Sequence, residues 1–142
     1  MIGSKRELIQ NLTFKIKNYQ PRGIMAIKKP NIIKEKTYKF ALDIIKVYQQ
    51  MIKQNEFILS KQLVRSGTSI GANTEEATAA QSRKDFISKM SISSKEARET
   101  NYWLRLLRDS QLCEGIDYTD LIEESEEIIK ILTSIVKTTQ KR

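Results

Sequence analysis

The side chains able to do chemistry are carboxylates and cations, because the 142-residue chain contains no histidine. Without imidazole it cannot supply a Ser-His or Cys-His nucleophile pair, a His-containing zinc site or the Glu-x-x-His motif of di-iron bundles. An enzymatic reading therefore rests on carboxylates and lysines, with Glu75, Glu76, Glu96 and Glu99 as its candidates. Such a site needs groups whose surroundings separate their pKa values. Glu75 and Glu76 fall outside the apolar arc of their helix and read as solvated surface, so no catalytic residue is assigned and the chain is not expected to be an enzyme. Glu123, Glu124, Glu126 and Glu127 likewise read as a solvated helix face, since a metal needs convergent ligands, and no metal or cofactor is expected.

The cations offer a different chemistry. The formal charge of +8 splits evenly: residues 1–24 hold five Lys or Arg against Glu7 alone, and residues 25–142 hold 20 against 16. Lys39, Lys46 and Lys53 recur every seven residues and line up over roughly 21 Å of helix. Lys95, Arg98 and Arg105 form a second basic group, with Tyr102 among them as a stacking side chain. Rows of this kind can follow a phosphate backbone, so the expected ligand is RNA or DNA, bound without sequence preference.

The elements that must position these groups are helices. Residues 1–30 read as a basic N-terminal extension, in which Leu12, Phe14 and Ile16 alternate like a short strand with no second strand to pair with. A loosely attached arm is the expectation, and Pro21 and Gly23 separate it from Met25, where the domain is expected to begin. Residues 31–142 read as one domain of four helices. The first, with Asn31 as its N-cap, runs from Ile32 to about Lys53 and carries two apolar rows. Tyr38, Ala41, Ile45, Tyr48 and Ile52 make one; Phe40, Ile44, Val47 and Met51 make the other, which is assigned outward.

The second helix, about Phe57 to Ala80, contains the run Ser66-Gly67-Thr68-Ser69-Ile70-Gly71-Ala72-Asn73. Its core stripe has almost no side-chain volume around Gly67, and a glycine costs about 1 kcal/mol in a helix interior, so a close neighbour is expected there. Ser82 and Asp85 resemble a capping box opening the third helix, which extends to about Leu112. Its core row is Phe86, Met90, Ser93, Ala97, Thr100, Leu104 and Leu107. A second row, Ile92, Glu96, Glu99, Trp103 and Leu106, widens the arc to about 200°, beyond what a helix facing only its own core requires. Gly115 reads as a helix stop, and Asp117 with Asp120 marks the fourth helix, about Tyr118 to Thr139.

Four helices joined by short turns make an antiparallel up-down-up-down four-helix bundle the economical all-α architecture. The outward rows, Phe40, Ile44, Val47 and Met51 with Ile92, Glu96, Glu99, Trp103 and Leu106, predict a homo-oligomer, with basic side chains of a neighbouring subunit meeting Glu96 and Glu99. The lone Cys113 cannot form an internal disulfide, and no apolar run approaches the roughly 18 residues of a membrane span. A cytoplasmic protein with no membrane partner is expected.

Ser69 to Ala77, SIGANTEEA, and Glu96 to Leu104, EARETNYWL, carry a resemblance. They are similar to the "SIGAN-EEA" and "EARE-YWL" segments of bacterial proteins encoded in intervening sequences of 23S rRNA genes, with a weaker likeness over residues 31–136. The resemblance implies a four-helix bundle and brings no catalytic signature. The same bundle shape resembles the accessory variability determinant of diversity-generating retroelements, which implies a pentamer and a reverse transcriptase as partner. A purely structural oligomer is the remaining alternative.

Overall fold

A computed structural model describes residues 5–17 and 28–141, and every regular element among them is a helix: α1 (Lys5–Lys17), α2 (Lys28–Lys53), α3 (Leu59–Thr78), α4 (Arg83–Ser110) and α5 (Thr119–Gln140). Each of α2, α3 and α4 packs on the next, α2 also packs on α5, and α1 lies against α5. No helix of the described residues is long and apolar enough to cross a membrane.

Local chemistry sets the helix ends. Helix α2 starts at Lys28, earlier than the expected cap at Asn31, with Pro30 in its first turn. Proline is tolerated there because first-turn N–H groups have no intrahelical acceptor. Asn55 (φ 62°) turns the chain after α2, and the Glu56 carboxylate accepts the Ser60 N–H at 2.8 Å to cap α3. Ser82 Oγ accepts the Asp85 N–H at 3.0 Å, half of the capping box expected there. Helix α4 stops at Ser110, where Gln111 (φ 55°) leaves the helical region; Gly115 (φ 72°) lies further along the connection and is not the stop itself. Asp117 Oδ1 accepts the Thr119 N–H at 2.9 Å as α5 begins.

The core draws on all four long helices: Ile33, Phe40, Ile44 and Met51 of α2, Leu63 and Ile70 of α3, Met90, Leu104 and Leu107 of α4, and Ile128 and Leu132 of α5. The α2 row assigned outward is thus the inward one, while Ala41, Tyr48 and Ile52 of the other row are half-buried. Phe40, Ile44, Val47 and Met51 face inward at 0 to 7% exposure, while Tyr38 (61%), Leu42 and Ile45 face outward. The reason is on α3: a Cβ at Gly67 would lie 2.8 Å from Ile44 Cγ2, so the Ile44 row needs the hollow that the glycine leaves. Gly71 is less tightly held, its virtual Cβ meeting Thr37 O and Oγ1 at 3.4 Å.

Helices α3 and α4 meet along a seam of small polar side chains. Thr100 Oγ1 donates to Ser66 Oγ at 2.9 Å, the Thr74 and Ser93 hydroxyls lie 2.8 Å apart, and Ser93 Oγ also donates to the Ile70 carbonyl at 2.8 Å. These fully buried hydroxyls are all paired, which avoids the about 1–3 kcal/mol cost of an unsatisfied one. At the N-terminus, residues 12–17 belong to helix α1, so the Leu12, Phe14, Ile16 alternation does not mark a strand, and the arm makes a specific contact with the body.

Candidate functional site

In the middle turns of α3 the side chains outside the core are small, with Thr68, Ser69 and Asn73 half-buried and Ala72 exposed. On the α4 side of α3, Arg65 reaches across. Its guanidinium pairs with Glu96 Oε2 at 3.3 Å and, through Nη2, with Glu99 Oε2. Trp103 Nε1 donates to the same Glu99 oxygen at 3.1 Å, and Tyr102 packs edge-on against Trp103 with ring centroids 5.2 Å apart. Arg65 of the same chain thus supplies a cation to Glu96 and Glu99, where the sequence pattern points to a neighbouring subunit. Nothing in the α4 pattern named Arg65, because it lies 31 and 34 residues upstream of its partners.

Beyond this pairing, Ile92, Tyr102 and Leu106 remain exposed on α4. On the α2 side of α3, Tyr38 lines a shallow cavity with Lys34, Glu35 and Glu75, and Leu42 and Ile45 continue the exposed apolar surface. One face, centred on α3, thus carries aromatic and aliphatic side chains along both borders. The four candidate carboxylates are not brought together on it. Glu76 pairs with Lys89 at 3.1 Å, Glu75 sits on the α2 side, and Glu96 and Glu99 converge on Arg65.

The basic groups border α5 instead, one on each side. Lys39 lines a cavity with Lys36 and Glu124, Lys46 is exposed with its Nζ 3.9 Å from Asp43, and Lys53 is exposed in the last turn of α2. On α4, Lys95 is exposed, Arg98 donates to Thr133 Oγ1 of α5 at 3.3 Å, and Arg105 donates to Asn101 Oδ1 at 2.8 Å. The two groups are not one patch, since α5 runs between them with Glu123, Glu126 and Lys130 exposed.

Two sites escaped the sequence reading. Glu124 is not solvated but 5% exposed, held between α2 and α5. Burial pushes its carboxyl above the usual range and pushes the Lys36 ammonium below its own, each countered by attraction between the two. Lys5 of α1 completes the cluster, with Nζ 3.6 Å from Glu124 Oε2 and 3.7 Å from Asp43 Oδ2. On a wheel Glu124 falls between the buried Ile131 and Ile135, inside the apolar arc, and that signal is hidden by the run of glutamates around it. The second site is the Tyr118 hydroxyl, buried without a hydrogen-bond partner beside Cys113. Burial pushes this phenol up to about 12 and raises the Cys113 thiol as well. Among the described residues no group of three or more acidic or cysteine side chains is arranged to hold a metal ion.

A family profile described as 23S rRNA-intervening sequence protein matches residues 29–134. A crystal structure from Bacteroides thetaiotaomicron, of a protein with unknown function from the S23 ribosomal protein family, is similar to this chain at 48% identity. The match covers 77% of this chain and 98% of that one, with a TM-score of 0.73. No functionally curated protein is significantly similar to the chain. With the match spanning α2 to most of α5 and both motif segments inside it, the chain belongs to the 23S rRNA-intervening sequence protein family.

Proposed function

We propose that α2 to α5 form an antiparallel up-down-up-down four-helix bundle that works without catalysis, as a self-associating scaffold that binds nucleic acid. The observation that carries the reading is the exposed apolar surface bordering α3, with Tyr38 (61%), Leu42 and Ile45 on one side and Ile92, Tyr102 (49%) and Leu106 on the other. They lie outside the buried core, and exposed apolar side chains gathered on one side of a folded domain mark an interaction site. Residues of two different helices flank it, which suits contact with a second copy. Five copies is the number implied by the likeness to the retroelement accessory protein.

The polyanion surface is formed by Lys39, Lys46 and Lys53 on α2 and by Lys95, Arg98 and Arg105 on α4, on either side of α5, with Lys95 sharing the face of α4 that carries Tyr102 seven residues on. These cations stay in solvent, where they can exchange counterions for phosphates. The test uses the full chain with Lys39, Lys46 and Lys53 changed to Glu, and separately with Lys95, Arg98 and Arg105 changed to Glu, titrated against short RNA and DNA at two salt concentrations. Each triple change is expected to weaken binding at least tenfold and to flatten its salt dependence. Unchanged affinity in both variants would contradict the assignment.

A further inference from the structure

A cavity of about 290 Å³ lies under α1, which forms one side of it, while α2 and Glu124 of α5 form the others. Leu8 and Ile9 of α1 line the cavity alongside Ile32 of α2, and Lys5 is its ionic anchor. The α5 wall beside it carries Asp120, Glu123, Glu126 and Glu127, and Arg6 faces that wall. Glu124 Oε2, the most buried acceptor here, has no hydrogen bond, and its cation Lys5 stays 3.6 Å away. The Lys36 ammonium faces the same carboxylate, and Lys39 and Glu35 stand at the α2 rim.

Helix α1 also lies outside the family pattern, which begins at residue 29. The α2 and α5 walls, including Glu124, lie within it. The groove walls of this chain thus lie inside the matched region and α1 outside it, and α1 shows what fits there: a helix with a cation at the position facing Glu124, a second cation next to it and aliphatic side chains one turn on. Ten residues separate α1 from α2 in the sequence, so α1 is a tethered ligand at high effective concentration.

We propose that the groove between α2 and α5 is a recognition site for a basic amphipathic helix, and that α1 is its exchangeable resident. The partner it would admit is a helical segment of another chain with Lys or Arg next to an aliphatic stripe. Access requires α1 to leave, so the groove is gated by its own chain. The inference does not depend on nucleic-acid binding, because the groove's outer wall is acidic.

A fluorescent peptide of residues 1–17 tests this against the full-length chain and its K5E/R6E variant, whose own α1 presents carboxylates to the acidic wall. The peptide is expected to bind K5E/R6E at least tenfold more tightly than wild type, with affinity falling as salt rises. Adding Glu124→Gln to K5E/R6E, an isosteric change that leaves packing intact, should weaken the peptide at least tenfold again. Absence of binding to K5E/R6E, equal binding to both proteins, or indifference to Glu124→Gln would each overturn the proposal; the last would place the peptide elsewhere on the acidic surface.

Discussion

Gly67 and Gly71 lie four residues apart on one helix, yet replacing each with alanine should move stability in opposite directions. Alanine is favoured over glycine in a helix interior by about 1 kcal/mol, and that gain applies to both sites. At Gly71 the new Cβ meets Thr37 O and Oγ1 at 3.4 Å, an ordinary contact, so Gly71→Ala should raise stability by up to about 1 kcal/mol. At Gly67 the new Cβ meets Ile44 at 2.8, 3.0 and 3.2 Å, against the branched part of a fully buried side chain that cannot swing away. Overpacking of this kind costs about 1–3 kcal/mol, which outweighs the propensity gain and leaves Gly67→Ala destabilised by up to about 2 kcal/mol. Leucine exaggerates the contrast, because at Gly67 three further carbons must enter the same space. Urea unfolding followed by circular dichroism, at one fixed protein concentration, reads both changes. A double-mutant cycle with Ile44→Ala locates the cause, since the penalty at residue 67 should largely vanish when Ile44 is truncated. If Gly67→Ala proved as stable as Gly71→Ala, the α2–α3 packing described above would be wrong.

Arg65→Ala should cost about 1 kcal/mol by leaving Glu96 and Glu99 without their cation, an ion pair in partial solvent contact. Arg65→Lys should recover only part of it, because an ammonium cannot reach both carboxylates as a guanidinium fork does. Tyr118→Phe should be neutral or stabilising by about 1 kcal/mol in thermal unfolding, since it removes a buried, unpaired hydroxyl. The folded-state phenol sits at about 12, above its ordinary value of 10, so its contribution is complete below pH 10 and is lost as pH rises through about 12. Tyr118→Phe should abolish that alkaline loss. Glu124 has a carboxyl raised above 4.5, so its contribution is complete below pH 4.5 and is lost as pH rises through the higher folded value. The stability of Glu124→Gln relative to wild type should therefore be flat below pH 4.5 and shift in favour of the variant toward neutral pH, as read by denaturant titration across that range.

What the sequence made legible was set by whether a feature depends on one helix or on two. The α4 core row, Met90 to Leu107, was readable because its spacing alone defines a stripe, and the structure buries Met90, Ser93, Ala97, Thr100, Leu104 and Leu107 as that spacing requires. The orientation of α2 was not readable. Both of its rows are apolar, and the one that turns inward is chosen by the hollow at Gly67, a tertiary match no single-helix pattern contains. The expected close approach at Gly67 was nonetheless correct, because a glycine kept inside a helix against its propensity needs a spatial reason. Arg65 was missed since ion pairs between helices leave no periodic trace. Glu124 was misread because neighbouring glutamates made a buried carboxylate look like part of a solvated run. At the N-terminus, a three-residue alternation was too short to separate a strand from the helix that α1 forms.

Self-association through the exposed surface around α3 is open to one direct measurement. Light scattering of the full-length protein at tens of micromolar gives the molar mass directly. A whole-number multiple of the 16.5 kDa chain is predicted, reduced toward one chain by Leu106→Glu, a change at an exposed side chain of that surface, while the helical circular dichroism signal is retained. A wild-type mass of 16.5 kDa at that concentration would contradict the claim.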